Sequence, residues 1–413
     1  MTQPWLAFVE SNTTGTGRNF CAAARKRGYE PVVLTQDPAR YPYIALDGIE
    51  TQLVDTSDPT AVVSACASLA ERAGLAGVTS SSEYFIAVAA TAAEKFGLPA
   101  ADPRAVEQCR DKTRQRIVLA NAGVGVLRFA EVTDAVSAAR TATAIGLPVV
   151  VKPVSGSGSI GVKMCATAAE VEQWAGELLT TADVNGRRRI LVEEYVDGAE
   201  FSVETFDLNA VAVVGKLLGP APHFVEVGHD FPARVSVHDH ERLTATTLKA
   251  LTALGLGWGA AHTELRMSAR GPVVIEVNPR LAGGMIPTMI QSAAGLDLVD
   301  AVIARSVGDD APLHFTRKEH GSIRFMLGRH SGVVSSVSDL PLPTEVPGLV
   351  MARFNVSRGE RIDLTHSFRD RLGYVISTGT SAREAEQAAS HALSGMRVVY
   401  TTPEEPSTGP HLH

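Results

Sequence analysis

Two glutamates past the middle of the chain have the spacing of a metal site. Glu264 in AHTELR and Glu276 in VVIEVNPR each lie in a run with strand character, and a short turn around Gly271 joins the runs. A hairpin brings such residues side by side, and period-two alternation puts Glu276, Asn278 and Arg280 on one face. Three oxygen donors with an arginine suit Mg²⁺ carrying a phosphate, because Mg²⁺ takes hard oxygen ligands and keeps positions open for substrate. Taken alone, a surface carboxylate pair with a cross-strand arginine salt bridge explains the same residues.

A second cluster handles phosphate. The run Pro153-Val154-Ser155-Gly156-Ser157-Gly158-Ser159-Ile160-Gly161 directly follows a strand over 149–152. Small residues let backbone N–H groups approach phosphate oxygens, and Lys152 at the strand end adds a point charge. An ordinary hairpin turn accounts for this run equally well, and GxxxxGK[ST] is absent. TGTGR at 14–18 is a partial match to a dinucleotide loop that a plain strand-to-helix turn explains better. In Glu193-Glu194-Tyr195-Val196-Asp197-Gly198-Ala199-Glu200 an extended backbone can serve an adenine edge, with a carboxylate beyond the turn for ribose hydroxyls. In isolation such a run is a solvated acidic edge.

Candidates for binding an acid or an amine are Glu226, His229, His262 and Arg324. His229, in FVEVGHDFPA, titrates near neutrality and can orient substrate or take a proton from an amine; an ordinary loop histidine fits as well. Arg324, in SIRFM, can grip an amino-acid carboxylate through two parallel hydrogen bonds or form a structural salt bridge. His238-Asp239-His240 reads as a loop or helix start rather than a metal site. Glu83, after Ser80-Ser81-Ser82, reads as a helix N-cap more than a substrate contact.

The elements that must position these residues follow from pattern and composition. At 413 residues the chain holds two to three domains. It is 45% hydrophobic and 20% charged with net charge −7, which gives no global basic field for nucleic acid or anionic lipid. Cys21, Cys66, Cys109 and Cys165 form no CxxC pair, so neither a disulfide scaffold nor a zinc knuckle is expected. The start lacks the pattern of a signal peptide, and the uncharged stretch after Arg280 is a poor membrane span; a cytoplasmic protein is expected. Strands at 4–9, 31–35, 51–56 and near 76–79 alternate with helices, among them 59–73 and 84–96. That alternation predicts an α/β region with a parallel sheet, helices on both faces and ligands beyond the strands' carboxyl ends. A long helix is expected over 104–122, carrying Asp111-Lys112. Then come helix 133–145, strand 148–153, the glycine loop, strand 162–165, helix 167–180 and strand 189–196. Residues 200–280 read mostly as strands, 223–229 among them, around a helix at 239–254. An α+β region covers 311–400, and the tail from 401 is expected to be disordered.

The order Lys112, VVVKPVSGSGSIGV, LVEEYVDGAEFSVE, HTELR and VIEVNPRLAGG resembles the ATP-grasp superfamily of carboxylate–amine ligases, over about 105–310. EEYVDGAEFSVE, FVEVGHDFPA and IEVNPRLAGGMIP look most like the L-amino-acid ligases (dipeptide synthases) and related natural-product amide ligases. The resemblance implies an ATP-grasp fold: a Rossmann-like pre-ATP-grasp domain (1–103), a linker helix with a small α+β lid (104–198), a catalytic core (199–310), an appended α+β region (311–402) and a tail (403–413). It implies that Lys112 and Lys152 hold the α- and β-phosphates while Ser155, Gly156, Ser157, Gly158, Ser159 and Gly161 cover the γ-phosphate. Lys152, Ser157 and Gly158 then act with Arg280 on the transferring group. Glu193, Glu194 and Val196 line the adenine, Glu200 points to the ribose, and Glu264, Glu276 and Asn278 hold Mg²⁺, as two ions that Mn²⁺ can replace. Gly283 and Gly284 join Glu226, His229, His262, Arg280 and Arg324 at the substrates. The implied reaction makes an acyl phosphate, then an amide, ADP and phosphate, from small-molecule amino acids and without nucleic acid or membrane; a homodimer is also expected. Ligation through a side-chain carboxylate of the γ-glutamyl type, a biotin-carboxylase-like reaction and a non-catalytic ATP sensor are the alternatives. The full set Lys112, Lys152, Glu264, Glu276, Asn278 and Arg280 argues against the sensor.

Overall fold

The computed structural model describes residues 3–12, 16–182, 186–311 and 313–401. The tail from 402 and part of TGTGR lie outside these residues. The chain forms two compact units, one from 1–127, 196–214 and 235–316, the other from 128–195, 215–234 and 317–413.

The first unit begins with a parallel sheet in the order Glu50–Leu53, Glu30–Thr35, Trp5–Val9, Leu75–Thr79. Alternate residues Trp5, Ala7 and Val9 pack against Val62, Cys66 and Leu69 of helix Pro59–Ala73 and Ala89 and Ala93 of helix Ile86–Lys95. Pro59 at the first helical position and the Asp58 carboxylate on the Thr60 N–H start the first of these helices where the sequence places it. On the other face, Phe8 meets Phe20 of helix Thr16–Lys26 edge-on at 6.3 Å. Helix Leu298–Ser306 joins that face: a Cβ on Gly77 would lie 2.6 Å from the Ser306 carbonyl oxygen, so glycine is required at this crossing. Both faces are covered, as the alternation predicts.

Two corrections follow. The expected helix over 104–122 is two helices, Pro103–Arg110 and Lys112–Asn121. Asp111 breaks it by taking extended backbone and accepting a hydrogen bond from the Arg114 N–H, the local competition that makes Asp a poor interior helix residue. The stretch after Arg280, given no element from sequence, forms helix Ile286–Ala294 in its uncharged part and helix Leu298–Ser306 just beyond it, closed and reopened by Gly295 in left-handed backbone and the Asp297 cap. Each is only nine residues long and set among glycines, with Pro287 in the first, so neither spans enough turns for its period to stand out from sequence. Among the described residues no single helix is long and apolar enough to cross a membrane.

Strand Ala260–Ser268 pairs antiparallel with Gly271–Asn278 on one side and Ala199–Phe206 on the other. Helix Val237–Ala253 packs on this group through Leu243, Thr247 and Ala250. The outer edge of Gly271–Asn278 is completed by side chains. Gln115, buried on helix Lys112–Asn121, donates to the Val277 carbonyl at 2.9 Å and accepts from the Val277 N–H at 2.9 Å. Arg116 donates to the carbonyls of Val274 and Ile275 at 2.8 and 2.5 Å. The helix is thereby registered on the strand, which places Lys112.

In the second unit an antiparallel sheet runs Phe129–Val132, Ile190–Glu194, Val149–Pro153, Lys163–Cys165. Helices Ala135–Ile145 and Ala168–Leu178 cover one face. The glycine-rich run joins the last two strands. Strand Asn209–Leu218 runs out of the first unit, and its end pairs with Glu226–Phe231. That strand pairs with His320–Leu327, then come Arg371–Gly379 and Leu349–Phe354, with helix Ala382–Gly395 packed across them. The strand expected at 223–229 starts only at Glu226. Strands Gly332–Ser338, Arg361–Ile362 and Arg397–Thr401 were not foreseen; they are short and half exposed, so alternation in them is weak.

Replacing Gln115 with Leu should strand the Val277 N–H and C=O, and an unmade buried hydrogen bond costs about 1–3 kcal/mol. A lowered urea midpoint is expected; an unchanged one would remove the edge-completing role.

Candidate active site

The register of the hairpin builds one polar face in the first unit. Glu264 stands opposite Glu276, His262 opposite Asn278, and Glu204 of the next strand opposite His262. Period two puts all five on one side, while Val203, Thr263 and Val277 are fully buried on the other. His262 is wedged between carboxylates, with Nδ1 2.8 Å from Glu204 and Nε2 3.1 Å from Glu264. Burial works against charge on His262, but Glu204 and then Glu264 outweigh it and hold its pKa at about 9. Lys112 Nζ is 3.0 Å from Glu276. Three carboxylates thus face two cations, and the surplus negative charge with Asn278 beside it is a hard oxygen donor set. In donor chemistry these residues suit Mg²⁺, although among the described residues no three histidine, cysteine or acidic side chains already converge as a metal site.

Arg280 is not on that strand face. The strand ends at Asn278, and Arg280 lies beyond it with its N–H on the Asn278 carbonyl at 2.8 Å. The cross-strand salt bridge is not formed either: Arg280 Nε binds Glu83 at 2.6 Å, with a second contact from Nη2. Burial disfavours its charge, yet Glu83, then Glu276 and Glu264, raise its pKa. The N-cap reading of Glu83 is corrected by the same contact, since the helix starts at Ile86 with Phe85 in the cap position. Leu281 and Ala282 are buried after Arg280, and Gly283 and Gly284 turn the chain into helix Ile286–Ala294.

In the second unit Lys152, at the strand end, is 2.6 Å from Glu193 on the neighbouring strand, both side chains buried. Glu194 pairs with Arg128 at 3.3 Å. The loop after Lys152 uses left-handed backbone at Gly156, Gly158, Ser159 and Gly161, three of them glycines, with Ser155 and Ser157 half-buried among them. Val196 and Glu200, in the first unit, both bind Arg266: the Val196 carbonyl at 2.9 Å and the Glu200 carboxylate at 2.9 Å.

A third cluster, also in the second unit, centres on Glu226. Lys216 Nζ lies 2.7 Å and Arg371 Nη2 2.5 Å from its carboxylate, and His229 Nε2 lies 3.6 Å away. The Arg371 guanidinium rests 3.8 Å from the Phe325 ring centroid, and His229 meets the same ring edge-on at 5.5 Å. Burial would raise the pKa of Glu226, but Lys216, His229 and Arg371 hold it well below its ordinary 4.5. Arg324 stands apart: it forks onto Asp230 at 2.8 and 3.3 Å, the structural salt bridge. His238 and His240 belong to a helix start capped by Ser236. The four cysteines are buried free thiols, pushed by burial to about 12 at Cys21, Cys66 and Cys109 and about 11 at Cys165, which favours the uncharged thiol.

Sequence reasoning missed Glu204, Lys216 and Arg371. Glu204 and Lys216 left a signal, since each is a lone charge inside an apolar strand run, FSVETF and AVAVVGKLL. Arg371 left none, because its partner is 145 residues away.

Residues 145–289 match the ATP-grasp domain, and 324–401 match the L-amino acid ligase C-terminal domain 2. The chain is 34% identical to the uncharacterised protein y4rH of Sinorhizobium fredii, over 95% of this chain and 82% of that one. It is 29% identical to the alanine–anticapsin ligase of Bacillus subtilis over 61% of this chain, and the match spans 58% of that ligase. In fold it superposes on the L-amino acid ligase of Bacillus licheniformis with a TM-score of 0.79 at 20% identity, covering 97% of this chain and 100% of that one. The chain belongs to the ATP-grasp superfamily. It is an ATP-dependent carboxylate–amine ligase, most like those that carry the L-amino acid ligase C-terminal domain.

Glu226→Gln should leave Lys216 and Arg371 buried without their counter-charge, a change that costs about 3–5 kcal/mol. A depressed carboxylate pKa stabilises above the ordinary 4.5 and loses that contribution as pH falls through the folded value. Denaturation midpoints of wild type and variant should therefore differ at pH 7, begin to converge only below about pH 4.5 and meet once pH has fallen through the folded value; a gap that is constant with pH contradicts the assignment.

Proposed function

We propose that this ligase joins the carboxylate of one amino acid to the amine of a second through an acyl phosphate, releasing ADP and phosphate. The observation that carries this reading is the in-register Glu264–Glu276 pair with Lys112 on Glu276. It gathers carboxylate oxygens and a lysine at one face, groups that can bind a cation and a phosphate. Phosphoryl transfer to a carboxylate asks for such positioned charge rather than a protein nucleophile. The names of the relatives, an alanine–anticapsin ligase and an L-amino acid ligase, support amino acids as the substrate class.

In this reading Glu264, Glu276 and Asn278 hold Mg²⁺, which when bound offsets the charge of the nucleotide phosphates. Lys112 and Lys152 bind the α- and β-phosphates. The backbone of 155–161 closes over the γ-phosphate and excludes water, which would hydrolyse the acyl phosphate. Glu193, Glu194 and Val196 border the adenine and Glu200 the ribose. Arg280, carried beyond the strand end and oriented by Glu83, stabilises charge on the transferring phosphoryl group. Glu226, His229 and His262, with the backbone at Gly283 and Gly284, serve the two substrates. His229, held beside Glu226, orients the substrate in this reading. An amine does not displace oxide from a carboxylate; phosphorylation supplies the leaving group.

An acid substrate labelled with ¹⁸O in its carboxylate should deliver one label to inorganic phosphate, with ADP as the other product. Label in AMP would refute an acyl phosphate. Glu276→Gln should fold and lose about 10²–10³ in kcat, the usual effect of removing one electrostatic stabiliser. Near-normal turnover would withdraw Glu276 from the metal site.

A further inference from the structure

The glycine-rich loop, residues 155–161, is seated by a distant part of the second unit. The Phe368 N–H donates to the Gly158 carbonyl at 3.2 Å. The Phe368 ring takes the place of a side chain on Gly158: a Cβ there would lie 2.2 Å from the ring's Cδ1. Gly158 also has φ +67°, so glycine is required twice over.

The turn that carries Phe368 is braced. The buried Asp370 carboxylate accepts from the N–H and hydroxyl of Thr365, both at 2.8 Å, and from the Ser367 N–H at 3.1 Å. Ser367 accepts in turn from the Arg369 N–H at 3.2 Å. His366 of the same turn stacks face to face on His223, with centroids 4.0 Å apart and planes within 3°. Trp174 meets His223 edge-on and donates to the Gly161 carbonyl at 3.2 Å, while the Met164 N–H binds the Pro222 carbonyl at 2.8 Å. The loop is therefore tied at its middle and at its exit to residues 220–224 and 365–370.

We propose that Phe368 is a positioning residue, through which the C-terminal region presets the glycine-rich loop for the nucleotide phosphates. The proposal rests on the reading of 155–161 as the phosphate loop. Ordering a residue's backbone costs about 1–2 kcal/mol, and glycine has the most freedom to lose. A seat built into the folded chain moves that cost from nucleotide binding to folding.

Phe368→Ala should speed amide hydrogen exchange in 155–161 of the nucleotide-free protein and leave strand Val149–Pro153 protected. It should raise the KM for ATP roughly tenfold, equivalent to about 1.4 kcal/mol, and leave the KM for the amino acids unchanged. Phe368→Tyr keeps the ring and should restore both readouts. Unchanged loop exchange and an unchanged KM for ATP in Phe368→Ala overturn the proposal, as does a KM rise shared by all substrates. Should Phe368→Ala lose protection throughout 128–195, Phe368→Leu decides: the same effects at smaller size support the seat, and wild-type behaviour overturns it. A wild-type protein that binds no ATP sinks the functional reading instead, whatever exchange shows.

Discussion

Two carboxylates facing each other across neighbouring strands repel, and the first unit is arranged around that repulsion. Glu264 and Glu276 are fixed in register by the hairpin, so neither can move to the other face without breaking the ladder. The fold responds with cations placed from different directions: Lys112 on Glu276 from a helix, His262 on Glu264 from the same strand, and Arg280 from beyond the hairpin's end. With Glu204 on His262 and Glu83 on Arg280 counted, four carboxylates face these three cations, and the response stops short of neutrality. What remains is a fixed concentration of negative charge on a rigid ladder, the arrangement a divalent cation stabilises and a neutral sheet cannot offer.

The placement of Lys112 shows how far the requirement reaches. A lysine in the interior of a long helix would have no reason to stop at the strand edge. Asp111 breaks the helix, Lys112 becomes the first residue of the next one, and Gln115 and Arg116 fasten that helix to the backbone of Val274–Val277. Lys152 is fixed by the same device in the second unit, where Glu193 holds it from the adjacent strand. Each lysine is ordered by a carboxylate partner before any phosphate arrives, so its side-chain entropy, up to about 2 kcal/mol for lysine, is already spent in the folded chain.

The sequence makes visible whatever is written in local pattern. The parallel sheet, the helix at 59–73, the hairpin and the face shared by Glu276 and Asn278 follow from alternation and caps, and the structure agrees with them. The division of 104–122 was missed because both halves favour helix and only one aspartate separates them. Helices Ile286–Ala294 and Leu298–Ser306 were missed because each is only nine residues long and bordered by glycine, too short for a period to stand out. At the site, spacing brought out residues on one hairpin. It could not bring out Glu83 on Arg280 or Arg371 on Glu226, whose partners meet only through the tertiary fold.

That distinction bears on Arg280 itself. Alternation extended one step too far put it on the strand face, where it would have neutralised Glu276 directly. Beyond Asn278 the chain bends, the guanidinium turns to Glu83, and Nη1 donates to the Leu281 carbonyl at 3.0 Å. An arginine on the strand face would compete with a cation for the same carboxylates. Held by Glu83, it adds a positive field that both glutamates feel while leaving their oxygens to Lys112 and His262. The strand has to end at Asn278 for the acidic face to remain acidic.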